Sequence, residues 1–336
     1  MPRRRLVHLR VLLVPLALAV ILGAAPADAV DAAEEPAVTG YALGSLPPKV
    51  LDRDAHALTT VSVAAAPITP DGRRVRPPSD SVVRVGRLAR ARGLHTELLL
   101  SNYSNRLEAF DEDAVHALLS DPRSIRRVAR LMATRVAAGG WDGVNVDFER
   151  VRRSDAAGLA SLVEQLQTAM PADRTVTIDV SAATSVAAYR SRGYLMGRLG
   201  RAADAVQLMA YDQHGPSWSE PGPIGGLGWQ RRAVEAALER VPAARLDLGV
   251  AGYGYTWRPD GTGRSFAPRW ARRATERAGV KPVWHRRAGE WSARLPDGRR
   301  LWWSDARSWA LRVDLARAYD LRGLALWRLG TADPLP

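Results

Sequence analysis

The hydrophobic residues of this chain form two kinds of pattern. Some occur in short apolar runs, and others recur about every 3.6 residues in longer amphipathic stretches. The short runs predict eight strands, at residues 37–42, 59–66, 94–102, 140–149, 175–182, 205–212, 246–255 and 323–327. The amphipathic stretches predict helices between them, chiefly at residues 79–92, 111–119, 123–138, 154–169, 189–199, 229–240 and 306–319. Strands that alternate with helices over about 300 residues predict a (β/α)₈ TIM barrel, an α/β fold.

An open, doubly wound sheet is the alternative fold. It is disfavoured because no Gly-x-Gly-x-x-Gly phosphate loop follows the first strand. Residues 258–305 interrupt the alternation, since Pro259-Asp260-Gly261 and Pro296-Asp297-Gly298 predict turns and residues 289–304 predict a hairpin. We therefore expect one catalytic barrel over residues 37–336, with a small β-rich insertion at about 258–305 between strands seven and eight.

The fourth strand carries polar side chains on one face. Strand side chains alternate sides, so Asn145, Asp147 and Glu149 point one way while the apolar residues that alternate with them point the other way, at Val144, Val146 and Phe148. Two carboxylates are costly to bury, and in a barrel the active groups lie at the C-terminal ends of strands. We expect Tyr211 and Asp212 at the end of strand six and Trp327 at the end of strand eight to share that mouth.

A close carboxylate pair can keep one proton near neutral pH, so Asp147 and Glu149 are suited to general acid catalysis. A buried salt bridge to arginine is the structural alternative. No second strand end offers an obvious carboxylate nucleophile. Cleavage assisted by the substrate needs no protein nucleophile, because the 2-acetamido group of an N-acetyl sugar attacks the anomeric carbon of its own sugar. Asp147 would accept its N–H, and Tyr211 would donate to its oxygen.

Other aromatic and histidine residues have open roles. Trp327 either stacks on a sugar ring or belongs to the core. Tyr253, Tyr255 and Trp257 would share one face of strand seven, as core or as a sugar platform. His214 is a loop residue or a substrate contact, since no second histidine lies near it. The sequence supports no metal site and no cofactor.

The motif residues resemble a known family. Residues 142–149, Asp-Gly-Val-Asn-Val-Asp-Phe-Glu, resemble the D-x-x-D-x-D-x-E signature of family 18 glycoside hydrolases, and most closely their spore-germination, cortex-lytic branch. Further matches are residues 208–214, 221–224, 303–308 and 326–330. The resemblance implies a role for each of four residues. Glu149 would be the proton donor and Asp147 the residue that orients the acetamido group. Tyr211 would stabilise the oxazolinium ion, and Trp327 would be the platform under the cleaved sugar. Further substrate-binding candidates are Asn102, Asn145, Met209, Asp212, His214 and Tyr255. Asn145 departs from the chitinase pattern, which has aspartate there.

The N-terminus predicts export. Arginines precede a short apolar run and an Ala-x-Ala-like site, so residues 1–29 are expected to be a signal peptide and residues 30–36 a flexible leader. An uncleaved membrane anchor is the alternative. The chain has no cysteine, and its formal net charge of +13 favours contact with an anionic cell wall. No nucleic-acid motif accompanies the charge.

These observations together predict a secreted, monomeric, metal-independent retaining glycosidase. Its expected substrate is peptidoglycan, cleaved at the β-1,4 bond after N-acetylglucosamine. A chitinase acting on chitin-type oligosaccharides is the second candidate. A sugar-binding barrel without catalysis is the third, and Glu149 argues against it because a lectin needs no acid.

Overall fold

The computed structural model of the protein describes residues 35–336, and its backbone alternates strands with helices as the sequence predicts. The predicted signal peptide and most of the leader lie outside the described residues. The strands are β1 Ala37–Leu43, β2 Thr60–Pro67, β3 His95–Ser101, β4 Tyr103–Ser104, β5 Ala109–Phe110, β6 Gly143–Asp147, β7 Thr175–Ser181, β8 Ala205–Met209, β9 Leu246–Ala251, β10 Gly254–Trp257, β11 Gly263–Phe266, β12 Val283–His285, β13 Glu290–Arg294, β14 Arg300–Trp303 and β15 Gly323–Trp327.

The helices lie mostly between the barrel strands. They are α1 Pro48–Asp54, α2 Asp80–Arg90, α3 Glu112–Leu119, α4 Pro122–Gly139, α5 Ala156–Ala169, α6 Val186–Ser191, α7 Met196–Ala202, α8 Leu227–Leu238, α9 Pro268–Arg277 and α10 Ala306–Ala318. The single helix predicted at 189–199 is wrong, because the chain breaks into α6 and α7. Gly193 lies between them with φ 84°, a conformation that ends a helix.

Eight parallel strands close into a barrel in the order β1-β2-β3-β6-β7-β8-β9-β15, with β15 pairing back to β1. The predicted (β/α)₈ fold is therefore confirmed. Outward apolar side chains of the strands, such as Val144 and Val146, are fully buried under the helices. Trp141 packs in the same layer against Gly86 of α2, where a Cβ would lie 2.4 Å from its ring.

The inside of the barrel is polar. Its strands carry buried hydroxyl, amide and carboxyl side chains on their inward faces, at Thr39, Ser62, Glu97, Asn145, Asp147, Thr177, Asp179, Gln207 and Asp247. At the N-terminal end of the strands, Arg322 pairs with Asp247. Burial raises the pKa of Glu97 nearby to about 7. The barrel interior is thus filled with polar side chains from the N-terminal ends of the strands up to the barrel mouth at their C-terminal ends.

The insertion is a five-stranded antiparallel sheet, β11-β10-β14-β13-β12, together with α9. It spans 254–303, so the predicted bounds of 258–305 start too late. The predicted seventh strand, 246–255, was too long for the same reason. The chain bends at Gly252, and β10 leaves the barrel to pair with β14 and β11. The predicted hairpin at 289–304 is confirmed as β13 and β14.

A buried ion pair connects the insertion to the barrel. Arg312 of α10 lies 3.3 Å from Glu290 of β13 and also donates to the carbonyl oxygens of Gly289 (2.6 Å) and Gly225 (2.5 Å). Glu290 in turn accepts from the N–H groups of Ile224 and Gly225. The pair therefore fixes the loop between β8 and α8. Within residues 35–336, no helix is both long enough and apolar enough to cross a membrane.

Candidate active site

The polar face predicted on the fourth strand lies at the mouth of the barrel. Strand β6 ends at Asp147 and β8 ends at Met209, so Glu149, Tyr211 and Asp212 follow their strands rather than ending them as predicted. The structural reason is a sharp turn after each strand, since Arg150 and Asp212 both have φ 58°. These turns bring the side chains that follow β6 and β8 to one end of the barrel.

Glu149 is partly buried, and its backbone is held by a side chain from the neighbouring strand. The Asn102 amide accepts from the Glu149 N–H and donates to the Glu149 carbonyl oxygen, both at 3.0 Å. Asn102 also donates to the Asp111 carbonyl oxygen and is 1% exposed. These contacts make Asn102 a residue that positions Glu149, and because Asn102 also borders the groove beside Asp147, its predicted contact with substrate stays a prediction.

Burial raises the pKa of Glu149 to about 8, with further contributions from the charges of Asp147 and Asp212. Arg150 acts in the opposite direction and does not offset them. A carboxyl with this pKa is protonated at neutral pH, as a general acid must be. Glu149 therefore has the protonation state that its predicted role requires.

Asp147 is 7% exposed, and its Oδ1 has no hydrogen-bond partner among the described residues. Burial and the nearby charge of Asp179 raise its pKa well above the usual range. Asn145, two residues earlier, donates to Thr177 (3.1 Å) and to Asp179 (2.9 Å). Its own Oδ1 also lacks a partner within the described chain. Asn145 therefore belongs to the layer below Asp147 and is fully buried.

Asp179 is the residue that the sequence argument missed. It lies within β7 rather than at a strand end, it is 3% exposed, and its Oδ1 accepts from Asn145 and lies 2.5 Å from the Tyr41 hydroxyl. Burial raises its pKa to about 8. The signal was present in the sequence, because β7 alternates polar Thr175, Thr177 and Asp179 with valine and isoleucine, the same pattern that identified β6.

Trp327 ends β15 and is partly buried. Its ring is tilted against Tyr41, with centroids 5.4 Å apart. Trp327 and Asp147 both border a groove of about 770 Å³, which continues over the loops after β1, β2 and β3. The indole therefore lies where it can contact both the barrel interior and a molecule in the groove.

The opposite side of the mouth carries tyrosines. Tyr211 packs edge-on against Tyr253 at 6.3 Å, and Tyr253 against Tyr255 at 5.4 Å. Both Tyr253 and Tyr255 donate to Asp212 Oδ1, the latter at 3.0 Å. The prediction that Tyr253, Tyr255 and Trp257 share a face of barrel strand seven is wrong, because β9 ends at Ala251 and the last two lie on β10.

Two further candidates have different surroundings. Met209 is partly buried at the end of β8. His214 Nδ1 lies 3.2 Å from Ser219 Oγ, and a Cβ at Gly222 would meet the imidazole at 2.6 Å. These contacts place His214 in the packing of its loop.

Among residues 35–336, no group of three histidine, aspartate or glutamate side chains is arranged to hold a metal ion.

The groove beside Asp147 is lined by serines and two exposed arginines. Arg76 follows β2, and Arg106 lies in the turn between β4 and β5. Neither guanidinium has an acidic partner among the described residues, whereas Asp111 at the groove edge caps α3. The groove therefore offers free positive charge to a bound molecule.

Comparison with known proteins decides the family. The model for glycosyl hydrolases family 18 matches residues 108–332, more than half of the chain. The chain belongs to glycosyl hydrolase family 18. It is therefore a glycosidase, as the D-x-x-D-x-D-x-E-like motif predicted. The match covers every predicted site residue except Asn102, while the residue roles remain predictions.

Individual family members support the same placement. The uncharacterized glycosylase YvbX of Bacillus subtilis is 23% identical over 72% of this chain and 73% of its own. The cortical fragment-lytic enzyme of the same organism is 24% identical over 70% of this chain, which spans 57% of that enzyme's length. A chitinase crystal structure from Chromobacterium violaceum superposes with a TM-score of 0.80 at 27% identity, covering 89% and 95% of the two chains.

Proposed function

We propose that this family 18 glycosidase cleaves the β-1,4 bond after N-acetylglucosamine in peptidoglycan, with retention and with assistance from the substrate. The arrangement of Glu149 and Asp147 carries this proposal. Glu149 has a raised pKa at the barrel mouth, and Asp147 beside it has one buried oxygen without a donor. The two carboxyls thus suit one proton donor and one hydrogen-bond acceptor.

In the first step Glu149 gives its proton to the glycosidic oxygen, and the bond from that oxygen to the anomeric carbon breaks. The acetamido oxygen of the same sugar forms a bond to that carbon, which gives an oxazolinium ion. Asp147 accepts the amide N–H as positive charge develops there. In the second step Glu149 takes a proton from a water molecule whose oxygen forms a bond to the anomeric carbon. The bond from the acetamido oxygen to that carbon breaks, which opens the oxazolinium ring, restores the acetamido group and preserves the anomeric configuration.

Two neighbouring groups favour this route over a protein nucleophile. Asp212, the other carboxylate near Glu149, has its Oδ1 bound by the hydroxyls of Tyr253 and Tyr255. Tyr211 has a pKa raised well above its ordinary value by burial and by nearby carboxylates. Its hydroxyl therefore remains a donor that can face the acetamido oxygen.

Peptidoglycan is the preferred polymer because the groove carries unpaired positive charge at Arg76 and Arg106. Peptidoglycan bears free carboxylates on its stem peptides, whereas chitin is neutral. The cortical fragment-lytic relative agrees with this choice. Chitin-type oligosaccharides are the second candidate, favoured by the 27% identity with the Chromobacterium chitinase.

We also propose that the protein is exported by its N-terminal segment and works at the cell wall as a monomer. Support comes from the basic and apolar pattern of residues 1–29 and from the net charge, which falls only from +13 to +10 when the four arginines and one aspartate of that segment are removed. An uncleaved anchor remains the alternative. Mass analysis of the N-terminus of protein recovered from culture medium and from membranes distinguishes the two.

The test of function compares wild type with Glu149→Gln on purified peptidoglycan and on a chromogenic chitobioside. We expect new N-acetylglucosamine reducing ends from peptidoglycan, and a loss in kcat of about 10³-fold in the variant. Reducing ends of muramic acid would overturn the bond assignment. Turnover of the chitobioside alone would transfer the assignment to chitin-type substrates, and binding of both without turnover would overturn the proposed mechanism.

A further inference from the structure

We propose that Asp179 is a positioning residue that holds one proton in common with Asp147, so that Asp147 can turn an anionic carboxylate toward the substrate. The inference rests on the proposed substrate-assisted mechanism and adds a residue from a different strand. It goes beyond the sequence motif, whose carboxylates all lie on the chain around β6.

The register of the barrel brings the two carboxyls together. Asn145 pairs with Thr177 and Val146 with Ile178, so Asp147 and Asp179 follow in step on neighbouring strands. Both point into the barrel, and adjacent strands lie about 5 Å apart. Both side chains are at most 7% exposed. Two carboxylates this close and this buried cannot both ionise at neutral pH.

Hydrogen bonds fix Asp179 and leave it able to carry a proton. The Asn145 amide and the Tyr41 hydroxyl both contact its Oδ1, and neither of these bonds occupies Oδ2. Asp147 Oδ1 is buried and has no partner among the described residues. A proton held between the two carboxyls supplies the donor that Asp147 Oδ1 lacks.

The exchange is balanced within the pair. When Asp147 faces the substrate amide, its proton passes to Asp179, and the pair keeps a single negative charge. Asn145 cannot take this role, since its amide has no titratable proton in this range. Its contacts orient Asp179 instead.

Other titratable groups surround Asp147 and Asp179, and their charges also influence the pH profile. They are Tyr41 on β1, Glu97 on β3, Glu149 after β6, Tyr194 before α7, and Tyr211 and Asp212 after β8. Glu97 serves as the comparison, because it is a buried carboxyl that contacts Thr177 and raises the pKa of Asp179, whereas the causes that raise the pKa of Asp147 are burial and Asp179.

The test uses pH profiles of kcat/KM for wild type, Asp179→Asn and Glu97→Gln on whichever substrate the wild type cleaves. Asp147 must be ionised to accept the amide N–H, so its pKa sets the acidic limb. Asp179→Asn removes the repulsion that raises this pKa, and the limb should move to lower pH by about one unit. Glu97→Gln should move it less.

A second variant exchanges the carboxylate and the amide between the two strands. The variant Asn145→Asp/Asp179→Asn places the carboxylate on β6 and the amide on β7, with the same pair of hydrogen-bonding groups. It should return the acidic limb to within about half a unit of wild type. An unmoved limb in a folded Asp179→Asn variant, or a charge exchange no closer to wild type than the single variant, overturns the proposal. Wild type without activity would instead overturn the proposed function.

Discussion

Removing the Glu149 carboxyl should stabilise the protein above neutral pH while lowering its kcat about 10³-fold. Burial holds the folded-state pKa of Glu149 at about 8, against 4.5 for an unburied glutamate. Between these values the folded chain keeps a proton that the unfolded chain has lost. The stability that this proton provides is fully present below pH 4.5 and is lost as the pH rises through about 8.

The size of the effect follows from the same pKa. Each unit of separation corresponds to about 1.4 kcal/mol, which gives an upper value of about 5 kcal/mol above pH 8. Glu149 is partly open to solvent, and screening reduces this to about 2 kcal/mol. Glu149→Gln keeps the shape of the side chain but has no charge to bury, so the variant avoids this loss.

Denaturant unfolding at pH 5, 7 and 9 measures the difference. The gain in the free energy of unfolding of Glu149→Gln over wild type should grow by about 2 kcal/mol between pH 5 and pH 9. Glu239→Gln, which removes an exposed carboxyl after α8, is the matched control and should show no such growth. A constant difference across the three pH values would refute the burial argument for Glu149.

Three further changes test other parts of the structure. Asn102→Ala should lower kcat about 10- to 100-fold with little change in KM, because Glu149 loses both backbone contacts; a variant with unchanged kcat contradicts this role. Arg312→Ala should cost about 3–5 kcal/mol and lower Tm by roughly 10 °C, because it leaves a buried carboxylate unpaired. The double variant Arg76→Gln/Arg106→Gln should lower kcat/KM on peptidoglycan about tenfold and leave chitobioside turnover unchanged.

The arginine variant has a matched control on the same loop. Arg73 and Arg74 are exposed like Arg76 but do not border the groove. Arg73→Gln/Arg74→Gln removes the same net charge from the surface. An equal loss on peptidoglycan in both double variants would indicate general attraction to an anionic polymer rather than recognition in the groove.

The barrel could be predicted from the sequence because each of its strands has its own local apolar pattern. Strand β15 occurs with the predicted bounds, and the other barrel strands overlap their predictions. The exit of the chain after Ala251 was not predictable in the same way. The apolar alternation continues through Tyr253 and Tyr255, and only pairing with β14, about 45 residues later, places the second tyrosine in another sheet.

The site was predictable as far as it lies on one strand. Alternation placed Asn145, Asp147 and Glu149 on one side, and the structure keeps the first two in the interior. Contacts across strands carry no local signal. The bonds from Asn102 to the Glu149 backbone join positions 47 residues apart, and a side chain that binds backbone could not be told from one that binds substrate.

Asn145 and Asp179 show that the acidic neighbour of a catalytic carboxyl can lie on the next strand of a barrel rather than on the same strand. An asparagine at position 145 of β6 leaves Asp147 with Glu149, just after the strand, as the only acidic residue two positions away along the chain. The inward face of β7 places Asp179 one strand away, and Asn145 donates to it. Inward side chains of adjacent strands come within hydrogen-bond reach of one another, as Asn145 and Asp179 do, so a carboxylate on β7 can act on a residue of β6. The acidic surroundings of Asp147 are therefore set by the register of β6 and β7, together with the sequence of both strands.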